Sequence, residues 1–237
     1  MNLLDQFTPN FIWRDQNALV DYGLIIEQEL PYIVAKRKYE EITITGSNKP
    51  LHEWFEDYEP FDLEIPNISI PYENFSKVKQ WLIGKSKLIT HNDLDKFCYA
   101  MCNISGERPY QNEWGVFYTF SIVFRCDPLK YKLNETPFFF TAGNNTFENH
   151  GDEKAAPLFE IDSNGGDITL ECGEYKLTVL NTTVGLVTID NELSMIVQNM
   201  RQLHSKGRWL RIPSGKQTIK LTGNIKSCKM NLRSVYL

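Results

Sequence analysis

Apolar and polar positions alternate along most of this chain. Between Phe61 and Ile70, residues Phe61, Leu63 and Ile65 stand against Asp62 and Glu64. A period of two gives a strand one buried face and one wet face. The same pattern predicts strands at Leu24–Gln28, Tyr39–Thr45, Lys87–Thr90 and Lys96–Ile104. The longest, Trp114–Cys126, puts Val116, Tyr118, Phe120, Ile122 and Phe124 on one face. Its other face carries Phe117, Thr119, Ser121, Val123 and Arg125. Gly46-Ser47-Asn48 is a turn signal, and Asn103–Glu113 reads as a hairpin loop. Pro66 breaks its segment or holds it at a sheet edge, because proline has no N–H for the ladder.

One segment changes period. In Asn74–Gly84, residues Phe75, Val78 and Leu82, with Trp81 beside them, form a stripe at spacings of three and four. Asn74 is the expected N-cap, and Gly84 the left-handed residue that ends the helix. A helix this short does not hold itself together, so it must pack on the sheet. It is the one helix the pattern predicts.

The second half is a series of short alternating segments. They read TFENHGDEKAAPLFEI, ITLECGEYKLTVL, GLVTIDNELSMIV and GRWLRIPSGKQTIKLTG, starting at Thr146, Ile168, Gly185 and Gly207. Asn164-Gly165-Gly166-Asp167 and Gly223-Asn224 are turn signals, and Asp190-Asn191-Glu192 reads as a hairpin turn. This spacing predicts a sandwich of two antiparallel sheets. The polar stretch LKYKLNETP separates the halves and sets domains at 1–132 and 133–237.

Composition changes this picture little. The 237 residues carry 42% hydrophobic, 23% charged and 13% aromatic residues, and the aromatic share favours strands. A net charge of -5 argues against a dedicated nucleic-acid binder, which needs a basic face. The opening MNLLDQFTPNFIW lacks the pattern of a signal peptide, and no apolar run reaches the roughly 20 residues that span a bilayer. The expectation is a protein folded in a cytoplasm, with no membrane insertion.

Candidate chemistry is sparse. Five scattered cysteines, Cys98, Cys102, Cys126, Cys172 and Cys228, give no disulfide framework. Cys98 and Cys102 lack the second ligand pair of a zinc site, and with Ala100 they share one strand face, so buried thiols are expected. His52, His91, His150 and His204 stand in no ligand spacing and read as solvated loop residues. No nucleophile elbow, phosphate loop or dinucleotide fingerprint occurs. The pairs Glu56-Asp57, Asp152-Glu153 and Asp190 with Glu192 are the candidates for glycosidase carboxylates, which must face one sugar at a set separation. Loop and turn carboxylates are the simpler reading. Hence no catalytic, metal or cofactor site is expected. Exposed aromatics could stack on a sugar, and Trp209, flanked by Arg208 and Arg211, is the candidate for sugar stacking or a protein interface.

Motif order, more than any single motif, resembles the distal tail protein (Dit) family of long-tailed bacteriophages. In the first half these are Asp21-Tyr22-Gly23 in ALVDYGLII, the tryptophan-bearing helix FSKVKQWL, and Asp95 to Ala100 in DKFCYA. Phe124, Cys126 and Pro128 follow in the closing strand. In the second half these are FENHG, Pro157 before FEI, the Ile189-Asp190 strand end, and Trp209 ahead of Pro213 and Gly215. The segment ITITGSNKPLHEW differs from the family's Gly-rich, often Arg-bearing loop.

The resemblance implies a mainly β protein: an N-terminal split β-barrel with one α-helix, then a C-terminal galectin-like β-sandwich. It implies a structural, non-enzymatic virion component at the phage tail tip, made in the host bacterial cytoplasm. Copies would close into a ring, a hexamer, joining the tail tube to the tip or baseplate proteins. DNA would pass through its lumen without specific binding. The alternative is a carbohydrate-binding β-sandwich protein used in host-wall adsorption.

Overall fold

A computed structural model describes residues 4–102 and 111–237. The chain divides into two compact units, Met1–Lys130 with Leu237, and Tyr131–Tyr236. Each has its own hydrophobic cluster.

The first unit carries β1 (Phe11–Trp13), β2 (Gln16–Asn17), α1 (Ala18–Tyr22), β3 (Ile25–Ile26), β4 (Arg37–Ile42), β5 (Leu51–Tyr58) and β6 (Phe61–Pro71). A 3-10 turn at Tyr72–Asn74 leads into α2 (Phe75–Leu82). There follow β7 (Gly84–Thr90), β8 (Lys96–Cys102), β9 (Gln111–Glu113) and β10 (Phe117–Lys132), which carries the chain across the boundary. The main sheet runs β2-β1-β7-β8-β10-β6-β3, with β9 also on β10, and curls into a half-barrel. Most of the expected loop at 103–113 lies outside the described residues.

Burial follows the alternation closely. Leu63 and Ile65 are buried while Asp62 and Glu64 are exposed, and Phe120, Ile122 and Phe124 face the core. Cys98, Ala100 and Cys102 share the buried face of β8. Pro66 does not break β6. The β6–β10 register slips between Phe120 and Ile122, opposite Pro66 and Asn67, and Asn67 takes a φ of 52°. A bulge thus absorbs the residue that cannot donate.

The helix at Phe75–Leu82 packs as the stripe predicts, burying Val78, Trp81 and Leu82. Its expected caps are different. Asn74 makes no capping hydrogen bond, and its Nδ2 donates to the Tyr22 carbonyl at 3.0 Å. Gly84 has a φ of 111° but opens β7, after an extended Ile83. The five-residue α1 is a second helix that the pattern did not predict. Its signal is local: Asn17 accepts from Leu19 N and Val20 N at 3.0 Å each, and Gly23 closes the helix at a φ of 70°.

The predicted strand at 39–45 belongs to a feature of its own. β4 and β5 form a separate two-stranded hairpin. All six residues of β4 are exposed. The predicted strand at 24–28 shrinks to the two residues of β3.

The second unit holds β11 (Phe138–Phe140), β12 (Gly143–Asn149), β13 (Leu158–Cys172), β14 (Tyr175–Asp190), β15 (Met195–Gln198), β16 (Arg201–Gln202), β17 (Ser205–Gly207), β18 (Gly215–Thr222) and β19 (Ile225–Asn231). β13 and β14 pair along almost their whole length. The first half of β13 pairs with β19, and its second half with β18. The second half of β14 pairs with β15, and its first half with β17. One hydrogen-bonded sheet therefore folds at mid-strand into two layers, which close on a single core that includes Phe159, Ile168, Val179, Ile189 and Leu221.

Asn164–Asp167 is that fold line, not a turn between strands. Gly165 and Gly166 take φ values of 98° and 96°, and the register shifts between Gly166 and Ile168. Side chains fix the corner. The Ser163 and Thr182 hydroxyls meet at 2.7 Å, and Thr182 donates to the Gly166 carbonyl at 2.6 Å. Gly223-Asn224 does join two strands, β18 and β19.

Candidate interaction surfaces

The residues flagged for sugar stacking or an interface lie on the segment after β17. Trp209 packs partly buried against the second core. Its neighbour Leu210 is fully buried, and Leu210 N donates to Asn191 Oδ1 at 2.8 Å. This anchors Trp209 to the hairpin turn after β14. Arg208 lies 3.3 Å from Glu174 Oε2 and 5.2 Å from the centroid of the Tyr175 ring. Arg208 and Trp209 thus have separate partners. Arg211 is half-buried, next to Ile212, which bridges to Ala155.

Asp190 and Glu192 do come together, but around a cation. Arg233 holds Asp190 through two hydrogen bonds of 2.9 Å and reaches Glu192 at 3.1 Å. Asp190 Oδ1 also accepts from Glu192 N and Leu193 N at 3.0 and 3.1 Å, which fixes the hairpin turn. Burial alone would push the Asp190 carboxyl up. The Arg233 guanidinium and the two backbone donors outweigh it and hold the group below its usual value. Both carboxylates clamp one guanidinium, an arrangement suited to anchoring a turn near the C-terminus.

His91 departs from the solvated reading. It is 1% exposed, just after β7, and its N donates to the Asn10 carbonyl at 3.1 Å. Burial lowers its pKa against the pull of Glu29 and Asp5, so the neutral ring is favoured. His52, His150 and His204 are exposed. All five cysteines are buried and free. Among the described residues no group of His, Cys, Asp or Glu could hold a metal ion. No helix among them is long and apolar enough to cross a membrane.

The most conspicuous surface lies on the first unit, and residue chemistry alone did not single it out. The β4–β5 hairpin exposes Tyr39, Ile42, Leu51 and Phe55, with Phe55 60% exposed. Contacts across it hold the two strands: Tyr39 meets His52 edge-on at 5.4 Å between ring centroids, Trp54 meets Tyr58 at 5.9 Å, and Lys38 Nζ lies 3.7 Å from Asp57 Oδ2. Arg37 lies 4.3 Å from the centroid of the Trp54 ring, and Trp54 Nε1 donates to the Asp57 carbonyl. Leu51 and Phe55 share one strand face with the charged Glu53 between them, so no clean apolar–polar alternation marks this strand in the sequence. A second apolar surface lies beside β3. Ile25, Ile70, Pro71, Val116 and Phe117 line an open groove of about 550 Å³.

No protein-family description and no curated protein matches this chain. A solved structure does. It is described as the "Crystal Structure of SPP1 Dit (gp 19.1) Protein, a Paradigm of Hub Adsorption Apparatus in Gram-positive Infecting Phages". The similarity covers 97% of this chain and 100% of that one, with a TM-score of 0.73 and 15% sequence identity. The fold is that of a Dit protein. The half-barrel and the folded-sheet sandwich are both inside the matched length.

Proposed function

We propose that this chain is a structural subunit of a phage tail tip, a hub protein whose copies close into a ring. The observation that carries the reading is the Dit fold over 97% of the chain, because that neighbour is described as part of a hub adsorption apparatus. The exposed β4–β5 hairpin supports it. A lone two-stranded hairpin is at best marginally stable in water, so apolar side chains held out on one call for a covering surface. A second copy of this chain can supply it. Head-to-tail contacts of this kind use two different patches on each subunit, and they close into a ring when the rotation allows. The hairpin and the groove beside β3 are two such patches.

On this reading residues 1–132 build the ring, a hexamer. Residues 133–237 form a platform for tail-tip or baseplate proteins, and the tail tube stacks on the ring. DNA passes through the lumen without being held, in keeping with the net charge of -5. The location is the virion tail. The role is architectural, not enzymatic.

Light scattering on size-fractionated protein, with negative-stain microscopy, tests the ring. Rings of a fixed subunit number are expected, alone or on a tail-tube template. Phe55→Glu should abolish them while leaving thermal stability within about 0.5 kcal/mol of the parent, since the residue is exposed. A protein that stays monomeric at all concentrations, with and without tube protein, overturns the reading. So does a Phe55→Glu variant that assembles normally together with a parent whose rings leave the hairpin uncovered.

A further inference from the structure

The two faces of the β4–β5 hairpin differ in charge. Tyr39, His52 and Trp54 share one of them. The other carries Ile42 beside Leu51, then Glu40 beside Glu53, then Phe55. Glu40 and Glu53 are both exposed and stand directly opposite each other across the ladder. Like charges in that position work against strand pairing. Among the described residues neither carboxylate has a cation beside it, and the nearby Lys38 goes to Asp57 instead. An acidic pair set between exposed apolar side chains defines its own cover. The cover must be basic and apolar together.

One surface of the same chain has that character. β7 and β8 are neighbours in the main sheet, and they pair Lys85 with Met101 and Lys87 with Tyr99. Cys98, Ala100 and Cys102 point into the core, so these four side chains point out of the half-barrel. Tyr99 is 38% and Met101 50% exposed. Lys87 Nζ lies 4.4 Å from the centroid of the Phe97 ring and has no carboxylate partner among the described residues. Lys85 reaches Asp127 at 2.9 Å, with its side chain still 59% exposed.

We propose that the hairpin of one copy crosses the outer face of the main sheet of the next copy, with Glu40 and Glu53 over Lys85 and Lys87. The inference rests on the ring reading above and names the seat of the hairpin. Ile42, Leu51 and Phe55 then cover Tyr99 and Met101. The groove beside β3 belongs to the same outer face, because Ser69 and Thr119, which line it, alternate with the core residues Ile68, Ile70 and Phe120. Its one charged lining residue is Glu27, and the turn of the hairpin carries the exposed Lys49. The charges at both ends therefore favour one direction of crossing. Complementary charge of this kind fixes register and rejects wrong pairings more than it adds affinity.

The test uses the full chain in two charge-reversed forms, Glu40→Lys with Glu53→Lys, and Lys85→Gln with Lys87→Glu. Each is checked against the parent by circular dichroism, and association is read by light scattering, with tail-tube protein where the parent needs it. Each form alone should associate roughly tenfold or more weakly than the parent, since like charges now meet. Mixed in equal amounts they should assemble as the parent does, because each presents the charge that the other's altered patch requires. Glu40→Gln with Glu53→Gln removes the charge without reversing it, and its association should depend less on salt than the parent's. Carbodiimide coupling of parent chains labelled with light and heavy nitrogen should join Glu40 or Glu53 to Lys87 between differently labelled chains. Normal rings from both reversed forms, or a mixture no better than either form alone, overturn this seat and leave the ring reading standing. A parent that never associates removes the ring reading, and this inference with it.

Discussion

Trp81→Ala should cost the first unit more than any other single truncation on α2. The indole is 5% exposed. It stacks on Tyr22 at 4.3 Å and lies parallel to Phe11 at 5.8 Å between ring centroids. Its Nε1 donates to the Trp13 carbonyl at 3.0 Å, and Trp13 Nε1 donates back to the Trp81 carbonyl at 3.1 Å. That exchange welds the end of α2 to the edge of the sheet. Removing a buried Trp side chain costs about 3–5 kcal/mol through lost transfer energy and the cavity left behind. The Trp13 carbonyl also loses a donor, and an unsatisfied buried group costs about 1–3 kcal/mol. The two terms overlap, so the upper part of the 3–5 range is expected. Trp81→Phe separates them, keeping most of the stacking and losing the hydrogen bond, for about 1–3 kcal/mol. Urea titration followed by fluorescence and far-UV circular dichroism reads both. A Trp81→Ala loss below about 1.5 kcal/mol with the urea m-value unchanged refutes the packing argument. Loss of rings at full stability would move Trp81 to an interface.

Two further outcomes concern the second unit. Arg233→Met strips the guanidinium from a carboxylate that is largely buried, and should cost about 3 kcal/mol at pH 7 by thermal or chemical unfolding. Because the folded Asp190 has a lowered pKa, its stabilisation is present above the unfolded value near 3.8 and fades as pH falls through the folded value. The parent should therefore lose stability on that acid side, and Arg233→Met should flatten the slope there. Trp209→Ala should lower the unfolding temperature of the second unit first, since the ring packs on its core. Saturable binding of the parent to host wall carbohydrate, abolished by Trp209→Ala in a protein of unchanged stability, would favour the adsorption reading.

Burial was legible wherever it is set by local period. Alternation at Phe61–Ile65 and Phe120–Phe124, and the stripe on Phe75–Leu82, each match a buried face. What alternation cannot see is the backbone's response to a special residue. Pro66 was absorbed by a bulge, and Gly165-Gly166 became a crease inside β13 instead of a loop. Both depend on partners far away in sequence, Ile122 in one case and Thr182 in the other. α1 is the opposite case. Asn17 and Gly23 bracket it with ordinary cap chemistry, but five residues are too few to show a helical period. Burial of His91 was hidden for a third reason: the turn after β7 brings it beside Phe7, Leu30 and Tyr32 around one surface groove, neighbours that no spacing encodes.

The β4–β5 hairpin shows why assembly is harder to read than folding. Ile42 pairs with Leu51 and shares a face with Phe55, as core residues on neighbouring strands do, yet all three end up exposed, as does Tyr39 on the other face. Pattern reports that a face is to be buried and says nothing about which chain will bury it. Inside the half-barrel the answer lies in the same molecule, so Leu63 and Ile65 close on Phe124 and Trp13 in one core. On the hairpin the cover must come from outside, and the energy of covering it belongs to association, where the loss of translational and rotational freedom is set against it. The hairpin should therefore be the least protected part of the first unit in hydrogen exchange when the chain is monomeric. It should become protected only on assembly. Protection that is already complete in the monomer would place its cover within the chain and remove the argument for a second copy.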